Sequence, residues 1–182
     1  MKIDEFLKAA MDSIDADSKY AENKNTFLIT FNAAIIGLIV ALKTSSKSIS
    51  CFENSIVFVF SIIIFIASLV SLISILPLNP LRNRIIKKRS DDRKNEGSKY
   101  MFYDYVSSHY CDGADSYIDF ENDLKEEFEI TEEFNEIEKQ LCKQIVDLAI
   151  VGAVKFKLFR FALIIEMIAF VVFIPFLISV FV

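Results

Sequence analysis

From Ser55 to Leu78 the chain runs for 24 residues without a charged side chain. A bilayer core about 30 Å thick needs about 20 apolar residues in a helix to cross it. A soluble helix keeps one polar face, so an unbroken apolar run of this length constrains the fold more than any other feature. Two further stretches meet the same requirement. Residues 25–42 are uncharged and bounded by Lys24 and Lys43, whose stems can snorkel to the headgroups of a short span. Residues 158–182 are uncharged from Phe161 onward apart from Glu166, and include a proline, Pro175. The first stretch follows a charged, regular segment and no A-x-A-like site succeeds it, so it reads as a permanent anchor, not a cleaved signal.

Composition agrees once it is sorted along the chain. The sequence is 53% hydrophobic and 25% charged, a combination that calls for segregation of the two residue types. Between Asp112 and Glu138 there are 12 acidic residues against the single Lys125. Basic residues cluster after the second apolar run, at Arg82, Arg84, Lys87, Lys88, Arg89, Arg93 and Lys94, and again at Lys155, Lys157 and Arg160. The connection between the first two runs carries only Lys43 and Lys47. By the positive-inside rule the amino terminus and residues 79–157 are cytoplasmic, and the carboxyl terminus faces outward.

The expected organisation is an all-α membrane protein with three transmembrane helices and a mostly helical cytoplasmic domain. Its parts are a cytoplasmic amphipathic helix at 1–24, spans at 25–42, 55–78 and 158–182, an external loop at 43–54 and a cytoplasmic segment at 79–157. Ile3, Phe6, Leu7, Ala10, Met11 and Ile14 recur at helical spacing in the first part. Acids among them disfavour anionic lipid, so packing on protein is the expected use. Phe134, Ile137, Leu141, Ile145 and Leu148 continue a helical pattern from about Thr131, with no proline before Arg160. A single helix should therefore run from the cytoplasmic domain into the third span; a break near Gly152 is the alternative.

Enzymatic chemistry has little support. Three cysteines lie in separate segments with one histidine, His109, which excludes a zinc cluster of ordinary spacing. Cys111 near His109 reads as a free thiol beside a loop histidine. Four glycines in 182 residues do not supply a phosphate-cradling loop, and no nucleophile elbow or metal-binding helix is present. A cytoplasmic part this small is marginal alone, so a homo-oligomer is expected.

Polar groups within the apolar runs stand out because the bilayer penalises them. Asn32 lies about 12 Å past Lys24, and Glu166 about 9 Å past Arg160, along their helices. Similar depths suggest a hydrogen bond between the two, closing the bundle. Glu166 snorkelling to a basic partner is the alternative, and a pore-lining role a third. In the cytoplasmic segment the basic run reads first as a topology signal at lipid headgroups. A second reading is a site for a phosphorylated ligand, with cations for phosphate and Tyr100, Phe102, Tyr103 and Tyr105 for a base.

The stretch Ala21-Glu-Asn-Lys-Asn25, followed by Leu28 and Asn32-Ala33, resembles the opening of the first span in the Pycsar effector transmembrane family. There an Ala-Asp-x-Lys-Ala segment precedes Leu-x-x-x-Asn-Ala. Lys24 and Asn32 fall on the family's lysine and asparagine; Glu22 and Asn25 depart from its aspartate and alanine. Phe102-Tyr-Asp-Tyr-Val106, Ser116-Tyr-Ile118, Gln144-Ile-Val-Asp-Leu-Ala149 and Lys157-Leu-Phe-Arg-Phe-Ala162 are similar to later family segments, in order. The resemblance implies a bacterial inner-membrane effector of antiphage defence. Its activating ligand would be cyclic UMP or cyclic CMP, made by a neighbouring nucleotide cyclase, and its output membrane damage that kills the infected cell. It implies no cofactor, no polymeric nucleic acid and contact with membrane lipid. The ligand site expected on this basis draws on Lys24, Arg82, Arg84, Lys87, Lys88, Phe102, Tyr103 and Tyr105. A constitutive small channel and a membrane scaffold acting through the acidic 112–138 segment are the competing readings.

Overall fold

The computed structural model describes residues 3–45, 51–75, 103–110 and 116–181. These form five helices with no strand among them: α1 (Ile3–Ser45), α2 (Cys51–Ile75), α3 (Tyr103–His109), α4 (Ser116–Glu127) and α5 (Glu136–Phe181). Three of them, α1, α2 and α5, are long and apolar enough to cross a membrane. The expected all-α fold with three spans is therefore observed. The chain divides into two units. The first comprises Met1–Ala21 and Leu78–Phe156, the second Glu22–Pro77 and Lys157–Val182. The unit boundaries fall inside α1 and α5, each of which is a single uninterrupted helix.

In the first unit an apolar cluster forms among α1, α3, α4 and α5. Phe6, Leu7, Ala10 and Ile14 of α1 pack with Val106, Phe120, Leu124, Cys142, Ile145, Val146 and Ala149. The spacing of the α1 residues puts them on one stripe, and that stripe is the face buried against protein. Phe6 adds a ring contact with Phe128, centroids 4.8 Å apart.

The ends of α4 and α5 are set by specific caps. Past α4, Glu129 adopts φ 50°. The Ile130 N–H donates to the Lys125 carbonyl at 2.9 Å and the Glu129 N–H to that of Glu126 at 3.3 Å. This is the two-bond helix stop usually made by glycine, here carried by a residue whose Cβ disfavours the conformation. The following helix starts later than the Thr131 expected from apolar spacing. Asn135 Oδ1 accepts the N–H groups of Ile137 and Glu138, both at 2.9 Å, and Glu138 Oε2 accepts the Asn135 N–H at 2.6 Å. That reciprocal Asn-x-x-Glu cap fixes the start at Glu136 and leaves residues 128–135 as a connection. From there α5 continues past Gly152 and Pro175, so the expected continuous helix is present and the break near Gly152 is not.

The second unit contains the apolar lengths of α1, α2 and α5. Buried positions on α2 are Val57, Phe60, Ile64, Ala67, Ser71 and Ser74, a strict alternation of three- and four-residue steps. On α1 they are Asn25, Leu28, Asn32 and Ile39, and on α5 Ala162, Glu166 and Ala169. Such spacing is the seam of a coiled-coil-like bundle. Phe27, Phe58, Phe65, Ile164, Met167 and Val171 point outward and are exposed, as lipid-facing positions require.

Candidate functional site

Two sets of side chains carry chemistry, one in each unit. In the first unit the centre is an aromatic group on α1, α3 and α5. Tyr103 stacks on Phe156 with centroids 4.8 Å apart and planes 14° from parallel. Gly152 lies beneath Tyr103, where a Cβ would sit 3.9 Å from the ring in ordinary contact. Tyr20 meets Phe156 from α1 at 6.4 Å. One residue before Phe156, the buried Lys155 ammonium donates to Ser18 Oγ at 3.2 Å. Lys155 and Phe156 on α5, and Ser18 and Tyr20 on α1, thus carry a cation and aromatic rings within two residues of each other in sequence, the residue types a phosphate and a base would use.

A second aromatic group lies on α3. Tyr105 stacks on His109 at 4.0 Å, and His109 Nδ1 is 2.9 Å from the Tyr105 carbonyl and 3.1 Å from Ser108 Oγ. Tyr110 donates to Asp123 Oδ2 at 2.5 Å and sets its ring edge-on to Phe120, tying α3 to α4. Cys142 lies in the core. Burial, reinforced by the charges of Glu121 and Glu138, pushes its thiol up to about 12, so it is not a thiolate nucleophile at neutral pH. Among the described residues no group of three or more His, Cys, Asp or Glu side chains could hold a metal ion.

Of the ligand residues expected from sequence, Tyr103 and Tyr105 fall in the first unit, each with one ring face stacked on a neighbour. Arg82, Arg84, Lys87, Lys88 and Phe102 lie outside the described residues. Lys24 belongs to the second unit, where its ammonium sits 5.5 Å from the centroid of Phe159. Lys155, Ser18, Tyr20 and Phe156 were missing from the expected set. Lys155 carried a signal, a lysine inside the apolar run Val151–Phe156, but its nearness to the third span gave it a topological reading instead.

In the second unit the polar groups lie along the bundle seam. Asn25 donates through Nδ2 to Ser74 Oγ at 2.9 Å, joining α1 to α2. The expected Asn32–Glu166 hydrogen bond is absent: both side chains are buried, at 0% and 3% exposure, and their polar atoms have no hydrogen-bond partner among the described residues. Snorkelling to a basic partner is absent for the same reason. Both side chains lie on buried seams, but depth from a helix end sets axial level alone, and a hydrogen bond also needs a separation of about 3 Å. Ser71, also buried and without a partner, was not singled out in the sequence. Its place in the 57-60-64-67-71-74 row was the available signal.

A family model described as the Pycsar effector protein domain matches residues 6–182. The chain belongs to the Pycsar effector family. The match takes in both units and all three apolar helices, so the chain is an inner-membrane antiphage defence effector of a non-enzymatic family. No curated protein and no solved structure matches it.

Proposed function

We propose that this Pycsar effector senses a cyclic pyrimidine mononucleotide, cyclic UMP or cyclic CMP, on the cytoplasmic side. Binding then drives a homo-oligomer to breach the inner membrane and end the infection by cell death. The observation that carries this reading is the family match over residues 6–182, joined to helices that pass without interruption from a polar unit into an apolar one. On this reading residues 1–24 and 79–157 are cytoplasmic, 25–42, 55–78 and 158–182 span the bilayer, residues 43–54 are external and the carboxyl terminus faces outward. The basic residues flanking the second and third spans support that orientation.

The ligand site draws its cations from Arg82, Arg84, Lys87, Lys88 and Lys155 of the first unit; Lys24, at the start of span one, is a separate candidate cation. Its stacking faces come from Phe102, Tyr103 and Tyr105. Activation is a shift of population: the ligand must bind the breached assembly better than the closed one. Helices α1 and α5 each run without interruption through the sequence of both units, which gives such a shift a covalent path to the spans.

The test is membrane potential in bacteria expressing the full chain, with and without added cyclic UMP or cyclic CMP. Depolarisation only with nucleotide supports the effector reading. Depolarisation without it assigns a constitutive channel, and none in either case a scaffold. With purified protein, replacing Arg82, Arg84, Lys87 and Lys88 by glutamine should abolish nucleotide binding, since each charge-assisted phosphate contact contributes about 1.5–3 kcal/mol. Unchanged binding would remove those residues from the site.

A further inference from the structure

Contacts within the second unit fix how its three helices align. Asn25 meets Ser74, and Lys43 Nζ donates to Asn54 Oδ1 at 2.6 Å, so α1 and α2 are antiparallel and Asn32 lies level with the region of Ala67. Lys24 meets Phe159 and Phe31 meets Phe170 at 6.4 Å, so α1 and α5 are parallel and Asn32 lies near the level of Ala169. Phe60 contacts Phe170 at 5.9 Å and Phe173 at 4.3 Å, which sets Glu166 level with the stretch just before Ala67. Asn32, Ser71 and Glu166 therefore occupy the seams of three different helices within about one turn, about 5 Å, of a common level.

Their polar atoms are not spent on one another or on the backbone. Asn32 Nδ2 and Oδ1, Ser71 Oγ and both Glu166 carboxylate oxygens are buried without a hydrogen-bond partner among the described residues. Serines elsewhere on α2 behave differently. Ser61 donates to the Val57 carbonyl at 2.8 Å and Ser68 to that of Ile64 at 3.0 Å, the usual way a helix satisfies a hydroxyl in an apolar setting. Ser71, on the buried seam of α2, forgoes that bond.

We propose that Asn32, Ser71 and Glu166 form a binding site for a small monovalent cation inside the span bundle. One carboxylate in a low-dielectric interior needs one positive charge to offset it. A divalent ion would leave an uncompensated charge and favours sites with more carboxylates. The donors are hard oxygens: two from Glu166, Oδ1 of Asn32 and Oγ of Ser71, a set suited to an alkali cation. A proton would neutralise the carboxylate but bond through one oxygen, whereas a cation engages all four. This site stands independently of the nucleotide reading, since none of its residues belongs to the proposed ligand site.

The test uses the purified full chain in lipid nanodiscs without nucleotide. Its thermal midpoint is measured at fixed ionic strength while N-methylglucamine chloride is replaced by lithium, sodium or potassium chloride. A bound cation raises the midpoint with the logarithm of its concentration above its Kd. The expected result is such a rise for at least one of the three, lost in Glu166→Gln and reduced in Ser71→Ala and Asn32→Leu. Glu133→Gln, at an exposed acid, should keep it. If Glu166→Gln does not fold, a reduced rise in both Ser71→Ala and Asn32→Leu supports the site. Equal midpoints in all salts, or a response retained in Glu166→Gln or in both other variants, overturns the site. A response to pH alone assigns it to a proton, and a Glu166-dependent response to magnesium or calcium at lower concentration overturns the monovalent class.

Discussion

Both units bury polar side chains, but they treat them in opposite ways. In the first unit Lys155 meets Ser18, Tyr110 meets Asp123, and Glu138 closes the cap at Asn135. In the second, Asn25 and Ser74 are joined, whereas Asn32, Ser71 and Glu166 keep buried polar atoms without partners. Satisfied polar groups specify one packing, and unsatisfied ones oppose it. The first unit is therefore built to keep its shape. The second contains a source of instability at the level where its three long apolar helices meet.

The largest expected effect tests whether the two apolar cores differ as much as their polar groups do. Phe120 and Phe60 are both fully buried. Phe120→Ala should cost about 3–5 kcal/mol in the first unit, read as faster amide exchange over Ser116–Glu127 in the full chain. Phe60→Ala should cost clearly less, because lipid chains are as apolar as the site the ring leaves and only packing is lost. Equal costs would mean that the span unit is held together like a soluble core.

Next in size are two substitutions of opposite sign. Glu166→Leu should stabilise the chain by about 1–3 kcal/mol, the penalty of an uncompensated buried polar group, when measured in N-methylglucamine chloride. Ser18→Ala should destabilise it by about 1 kcal/mol, since it strips a partner from a buried ammonium. Thermal midpoints of the two variants check both signs; a destabilised Glu166→Leu would end the contrast between the units.

The smallest effect concerns the connection between α4 and α5. Glu129→Gly removes the Cβ strain at φ 50° but frees the unfolded chain, leaving a net gain of at most about 1 kcal/mol. A rise in thermal midpoint of a few degrees or less is expected, with unchanged helix content. A fall would show that the Glu129 side chain contributes more than its backbone costs.

Much of this was legible in the residues themselves. The Ser55–Leu78 run pointed to a helix long and apolar enough to cross a membrane, and the stripe from Phe6 to Ile14 to one buried face. The Asn135-x-x-Glu138 cap was equally visible, yet apolar spacing pointed to Thr131, because a periodic pattern can continue through a connection that is not helical. At the candidate sites the residue types were readable and the partners were not. Lys155 looked like a topology signal, and only the tertiary structure showed it buried and donating to Ser18. Ser71 carried no reading of its own within the apolar run.

Length, periodicity and the sorting of charge determined the class of this protein, since those quantities act locally and leave their mark on consecutive residues. The sequence alone also supported the family and the continuity of α5. Tertiary structure decided which polar side chains meet. Asn32 and Glu166 reach similar depths by simple counting along their helices, but hydrogen bonding depends on facing direction and on a separation within about 3 Å. Those quantities arise from the packing of three helices together, and no single helix encodes them.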